Sequence, residues 1–182
     1  MTGFELPREI NVGGKDYAIN ADFRDILEVI SYLNQNTWDS VYVAVALFYN
    51  SYETIQVHEY TEAVNKMLLF INCGEEADNQ PAVRLIDWEQ DKLAIVSDIN
   101  KVAGCEVRAL PFCHWWTFIS WFNGIGDGQL STIVAIRNKI RKGQALSAWE
   151  RQYYSNNRRK IDLKQKYTED ENKELNKWLG GG

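Results

Sequence analysis

The hydrophobic pattern along the chain changes period near residue 20. Residues 9–12 and 16–19 alternate apolar and polar positions, with Gly13-Gly14-Lys15 between them, and this predicts a short β-hairpin. After it, Phe23, Ile26, Leu27, Ile30 and Leu33 recur at helical spacing, and Asp22 stands where a cap belongs. Val41 to Tyr52 reads as a second helix, dense in apolar and aromatic side chains. Tyr60, Val64, Met67, Leu68 and Ile71 mark a third helix that Gly74 stops. Residues 75–82 are polar, contain Pro81 and read as a loop.

A fourth helix is expected from Asp87 to Ala103, with Trp88, Ile95, Val96, Ile99 and Val102 inward and Gly104 as its stop. The fifth is the aromatic run between Pro111 and Gly124. Its residues Trp115, Trp116, Phe118, Ile119, Trp121 and Phe122 nearly encircle a helix axis, leaving His114, Thr117, Ser120 and Asn123 as a narrow polar stripe. A helix apolar almost all round is covered by other elements, so this segment is expected at the hub. Leu130, Ile133, Val134 and Ile140 mark a sixth helix, with Arg141 and Lys142 in the last turn, where cations suit the helix dipole. Ser147-Ala-Trp-Glu150 is a capping box opening a seventh, and Thr168-Glu-Asp-Glu171 another opening a short terminal helix.

The pattern therefore predicts a mainly α fold of about seven or eight helices with an N-terminal hairpin. Residues 1–142 form the expected helical core, and residues 143–182 a basic helical extension packed on it or projecting from it. The length suits one core of this size. No apolar run is long enough to span a membrane, and Met1 to Arg8 lacks the basic head and apolar block of a signal peptide. Three cysteines are an odd, sparse count that fits free thiols in a reducing cytoplasm.

Charge changes the picture at one place. Residues 137–166 hold ten Lys or Arg against Glu150 and Asp162, giving +8, whereas residues 1–136 hold 8 basic and 19 acidic residues, giving −11. A basic arm on an acidic body can fold back on that body, meet an acidic protein partner or bind nucleic acid. No recognisable nucleic-acid motif accompanies the basic residues.

The sequence offers little chemistry. Asp87-Trp-Glu-Gln-Asp91 gathers three carboxylates, but Asp87 is placed as an N-cap, with Gln90 at the reciprocal position, and acids in a first turn suit the dipole. Cys113-His114 is an adjacent ligand pair without partners at metal-ligand spacing. His58 sits in a polar context and is expected at the surface. There is no phosphate loop, dinucleotide fingerprint or serine elbow, so neither an enzyme nor a cofactor is expected.

Several short motifs, in order, resemble a known family. They are Pro7, Ile10, Val12, Gly14, Tyr17, Ile19, Phe23 and Arg24 in the N-terminal element; Phe70-Ile-Asn-Cys-Gly74; Asp87-Trp-Glu-Gln-Asp91; His114-Trp-Trp-Thr-Phe118; and Ile136-Arg137. Their order and spacing are similar to the "gene product fifteen" family of tailed bacteriophages, over about residues 7–142. That resemblance implies a tail assembly chaperone. Such a protein coats the tape measure protein, recruits tail tube subunits that displace it, works in the host cell cytoplasm and is absent from the mature virion. For such a chaperone, the acidic body and the basic segment 137–160 are expected to give weak self-association that orders copies side by side, head to tail, and weakens with salt. Trp121, Arg137, Arg141, Trp149 and Arg151 are the expected partner-binding residues. The alternative function is a nucleic-acid-binding module that uses the basic segment 137–166, with Arg137, Arg141, Arg151, Arg158, Arg159 and Lys160 on the backbone and Tyr153 and Tyr154 as stacking groups.

Overall fold

The structure is a computed structural model that describes residues 5–35, 37–76 and 83–164. Among these residues the fold is mainly α: a two-stranded antiparallel hairpin followed by seven α-helices. The expected terminal helix opening at Thr168, and Pro81 of the expected loop, lie outside the described residues.

Strands β1 (Glu9–Val12) and β2 (Lys15–Ala18) pair with Val12 opposite Lys15, so the turn is the two residues Gly13-Gly14. Both have positive φ, 58° and 83°, the twist that a tight hairpin turn requires. Lys15 thus belongs to the strand, not to the turn as its composition suggested. Ile10, Val12 and Tyr17 face the core.

Helix α1 (Phe23–Leu33) begins where expected. The Asp22 carboxylate accepts from the Arg24 amide at 3.0 Å and also from the Cys113 amide at 2.8 Å, which fastens the start of α1 to the strand-like approach of the aromatic helix. Helix α2 (Trp38–Phe48) departs from the expected 41–52 at both ends. Thr37 and Ser40 cap each other reciprocally at 3.1 Å, which starts the helix three residues early. It ends early because Tyr49 turns extended and bridges Ile19, with the Asn20 amide donating to Phe48 O and the Asn50 amide to Ala18 O. Tyr52–Thr54 then forms a separate short 3-10 turn.

Helix α3 (Tyr60–Ile71) closes with Cys73 and Gly74 at φ 56° and 87°, and the Gly74 amide reaches back to Leu69 O. Helix α4 (Lys92–Ala103) starts five residues later than expected. Asp87 does cap, but it caps a turn, accepting from the amides of Glu89 and Gln90 at 3.1 and 2.8 Å. The Gln90 side chain does not cap in return; it donates to Lys160 O and Asp162 O across the fold.

The aromatic helix is α5 (Trp115–Asn123), and it is the hub. Phe118 stacks on Phe23 with ring centroids 4.4 Å apart, and Trp88 lies against Trp115, Phe118 and Phe122. Trp115, Trp116 and Phe118 are buried, while Ile119, Trp121 and Phe122 are half-buried against the core. Helix α6 (Gln129–Arg141) is started partly by α4, because Asp98 accepts from the Leu130 amide at 2.8 Å. Helix α7 (Ala148–Ile161) opens with the Ser147–Glu150 capping box that the sequence announces.

The elements pack in series. Helix α7 lies on α6, α6 on α4, α4 on α5, α5 on α1, α1 on α2, α2 on α3, and α3 on β1. Residues 143–164 are docked on this body through Lys139–Glu150 at 2.6 Å and through Gln90, whose side chain also accepts from the Lys164 amide.

Candidate functional site

The residues that carry the motifs are occupied in holding the fold. The His114 ring caps α5 by accepting from the Trp116 amide at Nδ1, 3.1 Å. The proton is therefore on Nε2, which donates to Pro7 O at 2.9 Å and ties down the chain before β1. Burial holds the imidazole below its ordinary pKa, with the Arg8 cation adding to the effect and the Pro7 carbonyl opposing it. The neighbouring Cys113 thiol is pushed up to about 11, chiefly by burial and then by the Asp22 carboxylate. A protonated thiol beside a neutral, fully engaged imidazole is not an activated nucleophile.

The two tryptophans that follow act on α3. Trp115 Nε1 donates to Ile71 O and Trp116 Nε1 to Phe70 O, both at 2.8 Å. These carbonyls belong to the last turn of α3, where backbone acceptors lack helical partners. The Phe70–Gly74 motif and the His114–Phe118 motif are thus two halves of one joint.

The acidic motif is half of a second joint. Arg137 forks onto Asp91, with Nη1 2.6 Å from Oδ2 and Nη2 2.8 Å from Oδ1, and it also donates to the carbonyls of Leu85, Lys160 and Ile161. Arg84 pairs with Asp87 beside it. Among the described residues no group of three or more His, Cys, Asp or Glu is arranged to hold a metal. None of the described helices is long and apolar enough to cross a membrane.

The expected partner-binding residues separate into two groups. Arg137 is only 5% exposed and fully engaged, so it is not available to a partner, a correction that follows from the buried Asp91 opposite it. Trp121 is half-buried on the core. Arg141, Trp149 and Arg151 are exposed around the α6–α7 turn. Trp149 stacks on Tyr153 at 5.4 Å with 59% of its surface exposed, and Arg151 donates to Leu146 O. His58 is exposed, as expected.

The most prominent outward aromatic surface was not among the expected residues. Trp38, in the first turn of α2, is 91% exposed, and Tyr42 stands one turn further on the same helix. Tyr42 meets Tyr52 edge-on at 5.8 Å and stacks on Tyr60 at 6.1 Å, forming an aromatic ledge beside exposed Val57. The sequence signal was Thr37-x-x-Ser40: read as a capping box, it brings Trp38 into the helix and sets it four residues from Tyr42. Residues 25–65 carry six carboxylates and no Lys or Arg, and Lys15 reaches this stretch from β2 by donating to Thr54 Oγ1 at 2.9 Å. Leu93 on α4 is also turned outward.

No curated protein and no solved structure matches the chain. The family model for the bacteriophage Gp15 protein matches residues 4–163, nearly the whole described fold, and the chain belongs to that family.

Proposed function

We propose that this phage protein is a tail assembly chaperone that binds the tape measure protein, keeps it soluble and presents it to tail tube subunits. Family membership supports the reading. The observation that carries it is the division of labour among the side chains. The motif residues are used up in joints inside the fold, and large apolar side chains remain outward at separate places: Trp38 and Tyr42 on α2, Leu93 on α4 and Trp149 on α7. Exposed aromatic and aliphatic anchors of this kind suit apolar stripes on a long helical partner. Each contact is small, so affinity comes from many copies on one substrate and yields when tube subunits compete. Neither a cofactor nor a nucleotide enters this account, and the work is done in the host cytoplasm before the virion is complete.

The test is co-purification. An affinity-tagged copy of this chain, co-expressed with the tape measure protein of the same phage, should carry that protein through a wash without added nucleotide or metal. Recovery of the chain alone would contradict the reading.

Nucleic-acid binding through the basic segment is the second reading. The stacked Trp149–Tyr153 pair beside exposed Arg151 favours it. Binding to a single-stranded oligonucleotide that falls steeply with salt would support it, and no binding at low salt would end it.

A further inference from the structure

We infer that copies of this chain join head to tail, with the Trp149–Tyr153 face of α7 on one copy seated on the Trp38–Tyr42 ledge of α2 on the next. Both surfaces are aromatic pairs one helical turn apart; Trp38, Tyr42 and Trp149 are exposed, and half-buried Tyr153 backs Trp149 while packing on the core. Their charges are opposite. The ledge's own stretch, residues 25–65, has no Lys or Arg; Lys15 reaches it at Thr54 Oγ1, but exposed Asp39 and Glu53 stand next to Trp38 and Tyr52. Exposed Arg159 and Lys160 lie further along α7, and Arg141 and Lys142 at the adjoining end of α6; Arg151, two residues from Trp149, points to the other side of the helix.

Several of the segment's other cations are already neutralised within the chain. Arg137 is held by Asp91, Lys139 by Glu150, and Arg158 by Asp162. Arg141, Arg159 and Lys160 make no carboxylate pair among the described residues, so they are the charges left for a neighbour.

The two faces stand far apart in the packing series. Helices α6, α4, α5 and α1 intervene between α7 and α2. A contact between two different surfaces of one protein is heterologous, and where it does not close on itself it continues copy by copy. Two aromatic pairs and a charged rim make a small interface of the weak, reversible class. The aromatic anchors give it position, and the charges make it sensitive to salt.

The contact needs no substrate, so it is tested on the purified full-length chain alone, and its failure is separate from any failure to bind the tape measure protein. Sedimentation velocity at low salt, over a range of protein concentration, should show the wild type associating into a graded series that dissolves at high salt. Trp38→Ala and Trp149→Ala each remove one outward anchor, and each alone should associate at least about tenfold more weakly, the size of an aromatic hot spot. Both variants should keep the circular dichroism spectrum of the wild type, because neither side chain is in the core. Mixed one to one, they should form a heterodimer and stop there, because one retains an intact α7 face and the other an intact ledge. A mixture that stays monomeric, a Trp38→Ala variant that associates like the wild type, or a wild type that is monomeric at every concentration would overturn the inference.

Discussion

Asp91 and Arg137, 46 residues apart in sequence, form a two-pronged ion pair in which both side chains are almost wholly buried. It joins the turn before α4 to α6; of the three further carbonyls on the guanidinium, Lys160 O and Ile161 O extend the joint to α7 and Leu85 O belongs to the segment before α4. Breaking a buried pair from one side leaves an uncompensated charge and costs about 3–5 kcal/mol. Asp91→Leu should therefore lower the urea midpoint sharply. Arg137→Met should be at least as harmful, because it also takes the guanidinium donor from the Leu85 and Ile161 carbonyls, while Lys160 O keeps Gln90. A midpoint within error of the wild type for either variant would show that the joint contributes nothing net.

The His114 ring makes stability depend on pH in a defined direction. Its folded pKa lies below the ordinary 6.5, so between the two values the unfolded chain binds the proton and the folded one does not. The contribution is complete above about pH 6.5 and is lost as the pH falls toward the folded value. Protonation at Nδ1 would also remove the acceptor for the Trp116 amide. Asn is a good N-cap and does not titrate, so His114→Asn should flatten this part of the profile. Urea titrations at pH 7.5 and 5.5 check it; equal pH losses in the variant and the wild type would assign the effect to other groups.

The hub can be probed with two substitutions of different kind. Phe118→Ala removes a ring stacked on Phe23, and such truncations cost about 3–5 kcal/mol. Trp116→Phe keeps most of the apolar contact but deletes one donor to Phe70 O, which retains the Cys73 amide, so the loss is that of a single hydrogen bond, about 0.5–1.5 kcal/mol. Thermal unfolding should rank Phe118→Ala below Trp116→Phe, and both below the wild type. The opposite order would mean that the indole hydrogen bond, not packing, fixes α5.

What was legible in the sequence is what local physics decides. The hairpin, α1 with Asp22 as its cap, the stop at Gly74 and the Ser147–Glu150 box all rest on residues within a few positions of one another. The centrality of α5 was legible because a helix apolar on nearly every side has to be covered. Arg137 was not legible as a core residue, since Asp91 meets it only through the packing of α4 on α6. The run Asp87–Asp91 looked like a first helical turn because its carboxylates fit that role. In the fold Asp87 caps a turn and Asp91 turns toward Arg137. Trp38 was overlooked for a local reason: with Ser40 in place of Glu or Gln, the Thr37 box lacks its usual sequence form.

Chaperoning, as proposed above, requires this chain to keep the tape measure protein in solution. The most direct measurement is the soluble fraction of tape measure protein expressed with and without this chain, at matched total yield. The account predicts a clear rise in the soluble fraction when the chain is present. A soluble fraction unchanged by its presence would contradict the account.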